Sequence, residues 1–200
     1  HVFDLAPGIN LGTVAQLRTG VFAGFSETDI EIGAPERSSS NSDDGGYFAE
    51  FGYDSLDRPY FPGHGLRARS RYAWSDESLG ADEDYEAWNT VATGSFSFGR
   101  NSFTAIGRWA ELDLDSSGVA VAGADVLPAR AYTLGGFLQL SGYTRDSLAG
   151  NYLGLASLTY YRRLTEQSLL PVDMPVYAGA SIEAGNTWLE RNDAGFDELI

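Results

Sequence analysis

The sequence predicts an all-β chain whose antiparallel strands form a transmembrane β-barrel. Three observations predict it. The first is alternation. In HGLRARSRYAWSD, residues 64–76, Arg67, Arg69 and Arg71 alternate with Leu66, Ala68, Ser70, Tyr72 and Trp74. Successive strand side chains point to opposite faces, so one face is cationic and the other mostly apolar. The second is strand length. Several alternating runs reach 12 or more residues, whereas soluble strands have about 5–6 and a tilted membrane strand needs about 9–11. The third is that tight turns and longer connections alternate, as they do in outer-membrane barrels.

The elements follow in order. Residues 1–10 form a weak first strand. Residues 15–26 place Ala15, Leu17, Thr19, Val21, Ala23 and Phe25 opposite Gln16, Arg18, Gly20, Phe22, Gly24 and Ser26. Residues 47–54 place Tyr47, Ala49, Phe51 and Tyr53 opposite Phe48, Glu50, Gly52 and Asp54. The arginine strand comes next. Residues 86–98 set Trp88, Ala92, Phe96 and Phe98 against Asn89, Thr93, Ser95 and Ser97. Residues 102–114 and 152–164 alternate less cleanly, and 176–184 set Val176, Ala178, Ala180, Ile182 and Ala184 against Tyr177, Gly179, Ser181 and Glu183. That is about eight strands and no helix. Tight turns are expected at Asn101 and at the Pro/Gly run 57–63. Longer connections are expected at 34–46, 76–84, 116–151 and 165–173.

Composition excludes some functions. The net charge of −15 argues against a nucleic-acid partner, because phosphate binding needs basic patches. The acids gather in the connections, where they form a solvated fringe. Lysine and cysteine are both absent, so neither a disulfide nor a thiolate metal site exists in this chain. No run of roughly 18 apolar residues encodes a membrane helix. A mean hydropathy of −0.20 is compatible with barrel strands, which are apolar at alternate positions only. The start inside a strand pattern, without Met, suggests a piece of a longer polypeptide.

Two readings of the alternation remain open on pattern alone. In a soluble β-sandwich binding module the arginines would face bulk water. In a membrane barrel they face a polar lumen, while Leu66, Ala68, Tyr72 and Trp74 face lipid. Aromatics near the strand ends (Tyr53, Trp74, Trp88, Phe98 and Trp188) favour the barrel, whose interfaces carry aromatic girdles.

Two stretches carry a resemblance. FGYDSLDRPYFPGHG, residues 51–65, resembles the D-x-L-D-x-x-x-F-P-x-x-G strand–turn–strand of the bacterial surface-antigen superfamily, through Asp54, Leu56, Asp57, Phe61, Pro62 and Gly65. LGGFLQLSGYTRDSLAGNYLGLASLTYYRRL, residues 134–164, resembles its sixth extracellular loop and the following strand. The wording LGGF…LSGY is most similar to the barrel fused behind patatin-like phospholipases. The resemblance implies sixteen-stranded outer-membrane barrels, those of assembly insertases and two-partner-secretion transporters. Residues 1–200 would then be one partial barrel domain, with the first and last strands missing and the long loop folding toward the lumen.

The candidate site residues divide into two groups. The loop-six motif comprises Leu134, Gly135, Gly136, Phe137, Leu140, Ser141, Gly142 and Tyr143. The lumen-facing charges comprise Arg18, Glu50, Asp54, Arg67, Arg69, Arg71 and Glu183, which are expected to form ion-pair ladders. Many superfamily members carry V-R-G-F or V-R-G-Y at the loop tip, with an arginine that tethers the loop to an acidic wall. Neither LGGF nor LSGY contains it, and Arg145 is the nearby substitute.

No catalysis is expected. Asp44-Gly45-Gly46 matches the Asp-Gly-Gly of patatin-type lipases but reads as turn chemistry, and G-x-S-x-G is absent. His1 and His64 have no metal-ligand spacing, and no cofactor is implied. The resemblance implies an outer-membrane barrel of a Gram-negative bacterium that anchors, and helps translocate, an N-terminal lipase-like passenger. Any phospholipase activity would then lie upstream of His1. The alternative within the superfamily is an assembly insertase. The implied partners are outer-membrane lipid, the remaining barrel strands and the passenger of the same polypeptide.

Overall fold

In the computed structural model, residues 2–28, 40–114, 131–164, 176–195 and 199 are described. They form eleven strands: β1 Val2–Leu5, β2 Gly8–Leu11, β3 Ala15–Thr28, β4 Ser40–Asp54, β5 Gly65–Ser75, β6 Tyr85–Phe98, β7 Asn101–Leu114, β8 Tyr132–Leu134, β9 Leu148–Gly150, β10 Tyr152–Arg163 and β11 Tyr177–Trp188. Single 3₁₀ turns occur at Glu77–Leu79 and Arg191–Asp193.

One nine-stranded sheet holds all but a hairpin. Its order is β1-β3-β4-β5-β6-β7-β10-β11, with β2 also on β3. β1 and β2 pair with successive parts of β3. Together they are one strand interrupted at Ala6-Pro7, since proline has no N–H for the ladder. Every neighbouring pair is antiparallel, and from β3 to β7 each strand pairs with the next in sequence. β10 then pairs with β7, while β8 and β9 form a separate hairpin inside the β7–β10 connection.

The sheet has two unlike faces. The packed face holds two apolar clusters: Phe22, Phe48, Ala73, Tyr85 and Leu112, and Ala110, Leu134, Leu140, Leu153 and Leu155. The other face stays open. On it Ile182 is 76% exposed, Phe96 58% and Trp88 42%. A soluble β-sandwich would cover that face with a second sheet. Here only the β8–β9 hairpin lies outside the main sheet among the described residues, so the sandwich reading fails.

Two further expectations need correction. The connection expected over 34–46 is shorter, because β4 begins at Ser40. Asp43-Asp44-Gly45-Gly46 is ladder, not turn: Asp44 pairs with Gly24, and Gly46 with Phe22 and Ser75. Glycine is required there because the Glu77–Leu79 turn and β5 approach closely. A Cβ on Gly45 would meet the Leu79 carbonyl, and one on Gly46 the Trp74 carbonyl. The longer connection expected at 165–173 lies outside the described residues.

Phe48 is fully buried beneath the Arg71 guanidinium, which lies 3.8 Å from its ring centroid. Phe48→Ala is expected to destabilise the folded protein by about 3–5 kcal/mol, read as a lower unfolding midpoint by heat-modifiable gel migration.

Candidate functional site: the charged inner wall and its docked loop

The open face is built to meet hydrocarbon. At the loop end, Tyr47 stacks on Trp74 at 5.7 Å, and Trp109 lies 6.1 Å from Trp188. The polar edges of these rings are engaged: Trp88 Nε1 donates to Ser70 Oγ at 2.9 Å, Trp109 Nε1 to Glu111 at 2.7 Å, the Tyr72 hydroxyl to Glu86 and the Tyr152 hydroxyl to Asp113. At the turn end, Phe96, Phe98, Phe103 and Tyr160 form a second ring row, with neighbouring centroids 5.1–6.1 Å apart. Between the rows the open face is mostly small, as in Ala68, Ala92, Gly107, Ala156 and Ala184, which share one register row. Trp88 to Phe96 and Tyr152 to Tyr160 are each eight residues, about 27 Å of strand. With a barrel's tilt that approaches the ~25 Å apolar band.

The packed face collects the charge. Arg18, Glu50 and Arg71 lie in one register row, with Gly52–Arg69 and Asp54–Arg67 in the next two. Glu50 is only 7% exposed and is shared: Arg69 Nη2 is 2.7 Å away, Arg18 Nη1 3.7 Å and Arg71 Nη1 3.8 Å. Arg71 spends its fork elsewhere, donating to both oxygens of Asp4 at 2.7 and 3.1 Å. Arg67 pairs with Asp54 at 2.7 Å. The arginine strand therefore engages three carboxylates on two other strands, Asp4 on β1 and Glu50 and Asp54 on β4.

Sequence reading placed Arg18, Glu50, Asp54, Arg67, Arg69, Arg71 and Glu183 on one face but missed others there, among them Asp4, Asp44 and Arg108. Asp4 lies in the weakest strand. Arg108 shares the Arg69 register row through Val91 and faces Tyr132 of the loop. Period-two parity across 102–114 would have found Arg108, had Gly107 and Ala110 not blurred the alternation.

The loop comes down onto this face. Leu134 is fully buried and Leu140 is 4% exposed, both against Ala110, Leu153 and Leu155. Phe137 points away and is 86% exposed. The loop is tightly wound, with positive φ at Gly135, Gly136, Leu138, Leu140 and Asp146. Gly135 has no substitute, since a Cβ would strike the Thr144 carbonyl. Glu183 on β11 holds the tip. It accepts the Ser141 amide at 2.7 Å and the Ser141 hydroxyl at 2.9 and 3.0 Å. Ser141 occupies the arginine position of the LSGY word. Arg145 does not replace that arginine: its side chain is 89% exposed and pairs with Asp146 beside it.

The 55–64 turn is organised by Asp57. Its carboxylate accepts the Gly63 amide at 2.8 Å, the His64 amide at 3.2 Å and Arg58 Nε at 3.2 Å. Led by the His64 amide, these donors hold the Asp57 carboxyl down to about 2.

A single sheet with an apolar, girdled outer face and a charged inner face that receives a loop is the wall of a transmembrane β-barrel. The comparisons agree: a family profile for the Omp85 superfamily domain matches residues 16–196, and the chain belongs to that superfamily of bacterial outer-membrane barrels. No curated protein matches it. Among solved structures it is similar to BamA from Haemophilus ducreyi lacking POTRA domains 1–3, with a TM-score of 0.71 at 17% identity. The alignment covers 91% of this chain and 40% of that one.

Two outcomes follow from these contacts. Glu50→Ala takes the shared carboxylate from Arg69 and Arg18, while Arg71 keeps Asp4, and is expected to cost about 1–3 kcal/mol. Asp54→Asn, at an exposed pair, is expected to cost less than about 1 kcal/mol. Unfolding midpoints of the two variants check the order. The Asp57 carboxyl lies lower in the folded state than its ordinary 3.8, so its stabilisation of the turn is complete above that value and is lost as pH falls through about 2. Protection of the Gly63 and His64 amides from hydrogen exchange should fall over that range, and Asp57→Asn should abolish the dependence.

Proposed function

We propose that this chain is part of a polypeptide-handling outer-membrane barrel of the assembly-insertase type. The observation that carries the reading is superfamily membership over residues 16–196, joined to an inner wall that docks its own loop on Glu183. A barrel that assists another chain needs a lumen that does not collapse onto apolar surface. Paired arginines and carboxylates supply that, since Arg18, Arg67, Arg69 and Arg71 meet Glu50, Asp54 and Asp4 within the wall. In this reading the partners are outer-membrane lipid, the remaining strands of the barrel and an unfolded client strand. This reading asks no covalent chemistry of the chain's side chains.

A second reading is an anchor that presents, and helps translocate, a patatin-like passenger. The arginine-free loop words, Leu134–Phe137 and Leu140–Tyr143, favour it. One experiment separates the two. The full-length polypeptide is placed in lipid vesicles and offered a urea-unfolded outer-membrane barrel protein. The insertase reading predicts that the client reaches its heat-modifiable form several-fold faster than in empty vesicles. No acceleration, together with lipase activity that protease strips from intact cells, would establish the anchor reading instead.

A further inference from the structure

The β4–β5 turn reaches far from its own strands. Phe61 stacks on Tyr177 of β11, with centroids 4.7 Å apart and planes 10° apart, and meets Tyr161 of β10 edge-on at 5.5 Å. The Tyr161 hydroxyl donates to the Pro62 carbonyl at 2.6 Å. β6 and β7 lie between these partners in the sheet. Three strand spacings, about 14 Å of wall, separate β5 from β10.

The route of the turn is across the inside. Tyr161 shares the inward parity of Leu155 and Ser157 on β10, and Tyr177 is its neighbour across to β11 through Arg163. Gly63 passes over Ser97, whose hydroxyl lies 3.4 Å from where a Cβ would stand. The floor beneath is small and self-satisfied: Ser97 donates to Ser102 at 2.7 Å, and Ser95 pairs with Thr104 at 3.0 Å. Larger side chains there would exclude the turn. The tip is only partly covered. Phe61 has φ of 47°, in the left-handed region, and is 54% exposed even when seated.

We propose that the 55–64 turn is a strap across the turn-end mouth of the barrel, latched by Phe61 between Tyr161 and Tyr177. Seated, it blocks the path from that mouth to the charged inner wall. Released, it opens the path without breaking any strand pairing. The inference rests on the barrel fold and is independent of what the barrel handles.

The test uses the full-length protein in detergent micelles with one reporter cysteine, Thr93→Cys. Thr93 lies inward, in register with Arg67, and this chain supplies no other cysteine. The readout is the rate of modification by a bulky, membrane-impermeant maleimide. Tyr161→Phe keeps the ring and removes the bond to Pro62. It is expected to speed labelling about fivefold, the population change given by ~1 kcal/mol of lost hydrogen bonding. Phe61→Ala is expected to speed it further. Heat-modifiable migration identifies variants that remain folded, and should Phe61→Ala lose that shift, Tyr161→Phe decides alone. An unchanged rate in folded Tyr161→Phe overturns the strap.

Discussion

A chain that crosses hydrocarbon must satisfy its own backbone. No water is available there, so every N–H and C=O in the spanning region has to find a partner in the sheet. The remaining features follow from that demand. β3, β6 and β7 each run 14 residues, and the β6–β7 ladder pairs without a break from Tyr85–Leu114 to Phe98–Asn101. Once the backbone is committed to a continuous ladder, side-chain parity is fixed along its whole length. Each strand must then be apolar on one side and compatible with the lumen on the other. The single interruption, at Ala6-Pro7, lies in the strand at one margin of the described sheet.

The inner wall solves a problem that the outer wall does not have. It carries charge in a confined space and must also leave a surface on which loop and turn can settle. Glu50 illustrates the solution. One carboxylate, nearly removed from solvent, attracts Arg69 closely and two further arginines more distantly. Arg71 is thereby held over Phe48 while it grips Asp4. Electrostatic and apolar contacts are thus interleaved, and the arginine stems cover apolar surface that would otherwise face water.

Much of this was legible in the sequence because barrel strands write their geometry at period two. The eight strands, the tight turn at Asn101, the lipid-facing aromatics and the shared face of Arg18, Glu50, Arg67 and Glu183 all follow from parity and length. What was not legible depends on contacts between distant segments. Asp44-Gly45-Gly46 has turn composition, yet it is ladder, because the glycines admit the Leu79 and Trp74 carbonyls. Phe61 and Tyr161 are 100 positions apart in the sequence, and no local pattern announces their meeting. The missing arginine put the loop's tether in doubt, but Ser141's own amide and hydroxyl donate to Glu183.

That serine changes what kind of attachment the loop has. An arginine tether draws on the attraction between two full charges, which dissolved ions weaken wherever solvent reaches the pair. Ser141 brings a neutral hydroxyl and an amide at 2.7–3.0 Å from Glu183, and neither carries a net charge for counterions to shield. The loop's hold on the wall therefore depends on geometry rather than on the ionic strength around the cell. A change of salt around the barrel therefore has no ion pair at the loop tip to loosen.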